Sequence, residues 1–342
     1  MQKKKIKSFF AVCPKRLFLI LGACVFFSVQ TVLAGQTLVP MGKTVGVTMD
    51  TKGLLVLGTG SVDGEDHCSY TPSKGILQAG DLILEADGKT LENKETFMKV
   101  VEESKGEILT MRIERNGREK EVSVRPVFST ADSSYKIGAW IRDSIQGIGT
   151  VTYYDPATGS FGALGHGVYD VDTDELMEIR EGALVPVELT EIVKGEKGKA
   201  GELTGKILLR EKFAVIDKNT EAGIFGRGKE TFFTGEAMPV AATSEIEKGR
   251  AYLLSDFEGG DVKAYEIEIE SIQKKGGKQH KDMTIRITDE RMLKLTGGIV
   301  QGVSGSPICQ NGKIVGAVTH VLVNDPTRGY GIFIENMLEA EE

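Results

Sequence analysis

The spacing of hydrophobic and polar residues changes period several times along the chain, and each change predicts an element. Val45, Val47 and Met49 alternate with polar or small residues, the pattern of a half-buried strand, and Gly53 to Gly58 is a second short apolar run bounded by glycines. Gly75 to Ala79 predicts a small helix, and Leu82-Ile83-Leu84 a strand between two glycine turns. From Asn93 the period becomes helical, with Phe97, Val100 and Val101 at i, i+3 and i+4. Asn116-Gly117, between Leu109–Glu114 and Glu119–Val127, is the signature of a two-residue hairpin turn.

After a polar stretch from Ser129 to Ser134, which reads as a linker, short turn-bounded apolar segments dominate. Gly147–Tyr154, Leu184–Val193, Lys206–Leu209, Phe213–Ile216, Tyr252–Leu254, Tyr265–Ile272, Met283–Ile287 and Lys313–Val323 all read as strands. Glu290 to Leu295 predicts one brief helix, and the Lys-Gly runs Lys194–Gly201 and Lys274–Lys281 read as solvated turns. Many short strands with little helix predict a sandwich or a pair of barrels. The 342 residues contain 42 glycines, about 12% of the chain against a usual ~7%, which fits turns and strands and excludes a helical bundle.

The first 34 residues follow another logic. Lys3, Lys4, Lys5, Lys7, Lys15 and Arg16 precede Leu17 to Ala34, eighteen residues without a charge. That is a secretory signal or a membrane anchor with its basic end in the cytoplasm, so the rest is expected to be exported and tied to the membrane through residues 17–34. Val32-Leu33-Ala34 fits a cleavage site, and the run also suffices to span a bilayer, so removal and retention both stand. Beyond the leader 36 basic residues face 49 acidic ones, a net charge of −13 that excludes nucleic acid as a partner. Of four cysteines only Cys68 and Cys309 lie outside the leader; no zinc spacing is present, and neither metal nor cofactor is expected. The expected organisation is a leader over 1–35, a first domain over 36–128 and a second over 129–342.

The first domain resembles a PDZ domain through Ala79-Gly80-Asp81-Leu82-Ile83-Leu84, Asp87-Gly88 and the order of its elements. In that family an apolar-Gly-apolar loop offers backbone N–H groups to a peptide carboxylate and the next strand pairs with the peptide. Thr44, Val45, Gly46 and Val47 match this loop and are the expected peptide-binding residues. The polar insert from Ser61 to His67 departs from a compact module.

The chemistry of the second domain centres on Gly302-Val303-Ser304-Gly305-Ser306-Pro307. A serine between glycines leaves its hydroxyl uncrowded and lets neighbouring N–H groups converge, as a nucleophile beside an oxyanion hole requires. The segment resembles the G-D-S-G-G-P loop of chymotrypsin-like peptidases. The match makes Ser304 the nucleophile, with Ser306 as rival, and places the oxyanion hole at the N–H groups of Gly302 and Ser304. Val303 stands where that motif has aspartate, so the ion pair that switches such zymogens is unavailable. His280 lies in a basic run and His67 in the first domain, which leaves His166, between two glycines, and His320, in an apolar strand, as the base. The order His, Asp, Ser chooses His166. Asp170, Asp172, Asp174, Asp217, Asp256, Asp261, Asp282 and Asp289 all satisfy that order, and Asp289 reads equally well as a helix N-cap. A usual α/β-hydrolase esterase is excluded, since a proline and a strand follow the serine rather than a helix.

The leader, the PDZ-like domain, Gly162-Ala163-Leu164-Gly165-His166-Gly167, Ile287 to Ile308 and Gly316 to Ile332 together resemble the stage IV sporulation protein B (SpoIVB) family of serine peptidases. The resemblance implies a mainly β chain: a membrane leader, a PDZ-like α+β domain and a chymotrypsin-like β-barrel peptidase domain. It carries the catalytic roles to His166, Asp289 and Ser304. It also implies export from the forespore into the space between the forespore membranes. There the peptidase would cleave itself near its N-terminus, then an extracytoplasmic segment of a membrane-embedded sporulation regulator, releasing intramembrane processing of a sigma-factor precursor. The competing expectation is a non-enzymatic exported PDZ scaffold that binds membrane partners.

Overall fold

A computed structural model describes residues 35–170, 175–273 and 281–342; the leader, Asp172, Asp174 and His280 lie outside them. The chain opens with β1 (Thr37–Thr59), a single strand of 23 residues. Sequence patterning divides it at Asp50-Thr51-Lys52, yet the backbone runs through, because its two halves serve two parts of one 11-stranded sheet, a barrel and the PDZ-like module. Leu54–Leu55 pair with β2 (Leu82–Ala86), which pairs with β3 (Leu109–Arg115), which forms a hairpin with β4 (Arg118–Val124). Asn116 and Gly117 both take positive φ, 53° and 67°, as the Asn-Gly signal requires. Helix α1 (Lys94–Glu103) packs Phe97, Val100 and Val101 on this sheet, and Asn93 caps it by accepting from the N–H of Thr96. The helix expected at Gly75–Ala79 is absent; residues 71–80 form successive turns instead.

β5 (Ala139–Asp155) then returns alongside β1 over almost its full length, from Thr59↔Ala139 to Val39↔Tyr154. The PDZ-like module is therefore an insertion between two barrel strands, and the expected boundary at 128 is displaced. Residues 37–50 belong to the barrel beyond, and Ala139–Arg142 supply a strand to the PDZ-like sheet.

The remaining strands of the first barrel are β6 (Ser160–Ala163), β7 (Ile179–Val185), β10 (Ala214–Thr220) and β11 (Gly223–Gly228). Between β7 and β10 a hairpin of β8 (Val187–Val193) and β9 (Glu202–Ile207) leaves the barrel. The strand expected over Leu184–Val193 is thus two, split at Pro186, which has no N–H for the ladder. The order β5-β6-β11-β10-β7-β1, with β1 pairing β5, closes six antiparallel strands around Met41, Val45, Met49, Phe161, Ile216 and Ile224.

The second barrel is also closed and six-stranded. Its strands are β12 (Gly249–Ser255), β13 (Lys263–Ile272), β14 (Met283–Ile287), β15 (Pro307–Gln310), β16 (Lys313–Val321) and β17 (Arg328–Phe333), with helix α2 (Glu290–Thr296) between β14 and β15. Its core holds Leu253, Tyr265, Ile285, Ile308 and Val318. Leu38, Tyr153 and Phe225 of the first barrel meet Ile314, Ala317 and Ile332 of the second under the terminal helix α3 (Ile334–Glu341), so burial of apolar surface fixes how the barrels dock. Cys68 and Cys309 are both free thiols, one exposed and one buried.

Candidate active site

The docked barrels leave between them a cleft of about 620 Å³ lined by His166, Gly302, Ser304, Thr319 and His320, with aliphatic walls that include Val47, Ile148 and Val321. His166 comes from the first barrel, just beyond β6, and Ser304 from the second, just before β15. Two of the three residues expected to form a triad are therefore in one cleft.

The serine loop is stapled to the first barrel by β5. The Thr150 N–H donates to Ser304 O at 3.0 Å, Thr150 Oγ1 to Gly302 O at 2.8 Å and Thr152 Oγ1 to Gly305 O at 2.7 Å. Thr150 O in turn accepts from the N–H of Leu164, two residues before the histidine. One strand thus sets both the serine loop and the histidine loop. Ser304 Oγ donates to Thr319 O at 2.7 Å. Among the described residues the N–H groups of Gly302 and Ser304 donate to no protein acceptor, and both residues line the cleft, so the pair is free to bind an oxyanion. Ser306 is fully buried, which removes it as a nucleophile, and Val303, in the aspartate position, is fully buried in the second core.

Nδ1 of His166 lies 2.8 Å from the carbonyl oxygen of Gly167. A ring nitrogen facing a carbonyl carries the hydrogen, so Nε2 keeps its lone pair, the tautomer a general base needs. Burial lowers the His166 pKa, with the Gly167 carbonyl opposing; among the described residues no carboxylate acts on the ring. The main chain after the histidine is held by Asn219 of β10, whose Oδ1 accepts from Val168 N–H at 2.9 Å and whose Nδ2 donates to Val168 O at 2.8 Å. His320 packs ring to ring with His166, centroids 4.9 Å apart, and burial, His166 and Lys281 together push it down to about 4.

Asp289 is not brought to His166. It caps α2, accepting from the N–H groups of Arg291 at 2.9 Å and Met292 at 3.3 Å, while its other oxygen takes the Arg291 guanidinium at 2.8 Å. The Arg291 contact, helped by the backbone N–H groups, holds its carboxyl near 2. Of the two readings that the sequence leaves level, the structure carries the N-cap. Asp289→Asn is expected to leave turnover within about tenfold, because Asn caps nearly as well as Asp. Replacing the acid of a working triad would instead cost about 10⁴-fold, and kcat of the variant decides between them. Asp170 is bound to Arg142 at 3.0 Å, and Asp256 accepts from the Thr44 N–H at 2.7 Å.

The expected peptide-binding residues are also placed elsewhere. Thr44, Val45, Gly46 and Val47 lie inside β1, opposite Thr150, Gly149, Ile148 and Gly147 of β5, and Gly46 and Val47 pair with Val185 and Leu184 of β7 on the other side. Strand addition needs an unpaired edge, and here the barrel has taken it. The Lys194–Gly201 run is likewise more than a solvated turn: Gly195 and Gly201 are buried against the second barrel. Thr150, Thr152 and Asn219 escaped the sequence reading. Two threonines at period 2 in an otherwise apolar strand are the one local trace of a staple; Asn219 leaves none.

The two depressed histidines make stability depend on pH. Both stay neutral in the folded chain below the pH at which they protonate when unfolded, about 6.5. As pH falls below 6.5 the unfolded state binds more protons and stability declines, down to about pH 4, where folded His320 protonates too. Urea midpoints measured from pH 7 to pH 4.5 are expected to fall for wild type and to fall less for His320→Phe.

Two six-stranded antiparallel barrels with a serine and a histidine meeting in their cleft define a serine peptidase. The family model described as SpoIVB peptidase S55 matches residues 133–338, more than half of the chain, and the chain belongs to that family. Among solved structures, the PDZ domain of the SdrC-like protein Lmo2051 from Listeria monocytogenes is 21% identical, covering 26% of this chain and 87% of that one at a TM-score of 0.22. The inactive form of the Rv3671c protease is 15% identical over 56% of this chain and 81% of that one, TM-score 0.33. A serine-to-alanine mutant of Rv3671c from M. tuberculosis H37Rv, also inactive, is 15% identical over 57% and 79%, TM-score 0.31. No curated protein sequence matches.

Proposed function

We propose that this chain is an exported sporulation endopeptidase. It first cleaves itself near the N-terminus and then cuts an extracytoplasmic segment of a membrane-embedded regulator, which releases intramembrane processing of a sigma-factor precursor. The observation that carries the chemistry is the meeting of Ser304, two unpaired N–H groups and a neutral His166 in one cleft. Ser304 Oγ turns from Thr319 O to His166 Nε2, gives up its proton and attacks the scissile carbonyl. The N–H groups of Gly302 and Ser304 hold the oxyanion, and His166 returns the proton to the leaving amine. The Gly167 carbonyl fixes the imidazole.

Export to the space between the forespore membranes, by way of residues 17–34, supplies the location. Leu38 is fully buried at the start of β1, so self-cleavage that spares the barrel falls before Thr37. The test is replacement of the chromosomal copy by Ser304→Ala in the spore-forming host. Full-length chain and unprocessed sigma-factor precursor should accumulate, and sequencing of the wild-type product should place its new N-terminus before Thr37. Normal precursor processing in the Ser304→Ala strain would refute the signalling role.

A further inference from the structure

With Val303 in place of the motif's aspartate, something other than an ion pair must hold the oxyanion loop. From the Gly302 carbonyl onward it is β5, through Thr150 to Gly302 O and Ser304 O and through Thr152 to Gly305 O. Just before it, at Gln301, it is the β8–β9 hairpin, which leaves the first barrel and lies on the second. Gly195 N–H donates to Thr296 O at 2.8 Å and Gly198 N–H to Val323 O at 2.8 Å, while Leu203 is buried in the second core. Gly201 and Leu203 bracket Gln301: Gln301 N–H donates to Gly201 O at 2.8 Å, and Leu203 N–H donates to Gln301 O at 2.9 Å.

The last bond bears directly on the chemistry. In a planar trans peptide the C=O and the following N–H point in opposite directions. Leu203 draws the Gln301 carbonyl toward the hairpin, so the Gly302 N–H on the same peptide plane must point away from the hairpin, and Gly302 lines the cleft. Rotation of this one plane would remove an oxyanion donor without disturbing either barrel. The geometry points to the β8–β9 hairpin as a positioning element for the oxyanion hole, with Gly201 and Leu203 as positioning residues; this rests on Ser304 being the nucleophile. The hole is complete only while the hairpin of one barrel grips the loop of the other.

Gly201→Ala is the first variant, because a Cβ there would stand 2.4 Å from both Gly195 N and Val193 O, backbone atoms that cannot yield without opening the hairpin. Leu203→Ala, which loosens the grip with no clash, carries the test if Gly201→Ala fails to fold, and Lys197→Ala on the exposed tip is the control. In the full chain, kcat and the rate of fluorophosphonate labelling should fall about 10²-fold, the usual cost of an oxyanion donor. KM should stay within about twofold and Lys197→Ala should match wild type. The affinity of a peptide boronic acid, which makes a tetrahedral adduct on the serine, should fall in parallel with kcat. Unchanged labelling in a folded Gly201 or Leu203 variant, or a rise in KM at constant kcat, would overturn the hairpin's role. If wild type itself took no label, the nucleophile assignment would fall, and this inference with it.

Discussion

Ser304→Ala is expected to leave the chain folded while cleavage and fluorophosphonate labelling fall together by at least ~10³-fold. Among the described residues that line the cleft, the hydroxyl has beside it two N–H groups that donate to no protein acceptor. Its hydrogen bond to Thr319 O contributes on the order of 1 kcal/mol to stability, so the melting temperature should barely move. Large loss of activity with preserved melting distinguishes a nucleophile from a structural turn. Persistence of both cleavage and labelling would instead favour a scaffold in which Gly302–Pro307 is only a bend.

Gly305→Ala is expected to have the second largest effect, for a different reason. Gly305 has φ +96°, and a Cβ on it would meet Thr150 O at 2.1 Å and Leu164 N at 2.5 Å. Both are backbone atoms, at the point where the serine loop, the histidine loop and β5 meet, so no side chain can move aside. The variant should lose ~3 kcal/mol or more of stability and at least ~10²-fold in labelling rate, since a displacement of about 1 Å at a catalytic centre costs that much. Thermal melting and labelling measured on one sample check both; a variant that labels at the wild-type rate would mean that the loops are not coupled at this glycine.

How far the sequence could be read depended on whether the deciding information was local. Asn93, Asn116-Gly117 and Met283–Ile287 announced their cap, turn and strand because each is decided by neighbours a few residues away. Ser304 and His166 were found for a similar reason, since Gly302 and Gly305 around the one and Gly165 and Gly167 around the other mark side chains set in tight loops. β1 was read as two strands in one domain, because nothing in Thr44–Val47 reveals that the edge a peptide would use is taken by Ile148 and Val185, more than a hundred residues away. Asp289 shows the converse: a carboxylate before a short helix is an N-cap by local rule and an acid by resemblance, and the structure carries the local reading, with Arg291 two residues on taking its second oxygen. The Lys194–Gly201 run carries a loop's composition, but Gly195 and Gly201 are buried because the second barrel lies beneath them.

The central claim is that Ser304 is the reactive nucleophile of the cleft, and mapping its covalent adduct tests this most directly. The full chain is treated with a fluorophosphonate, digested and sequenced by tandem mass spectrometry, beside Ser304→Ala. The account predicts a single adduct on Ser304 that is absent from the variant. An adduct on Ser306 or on a serine outside the cleft, or an unlabelled chain that still cleaves protein, would contradict it.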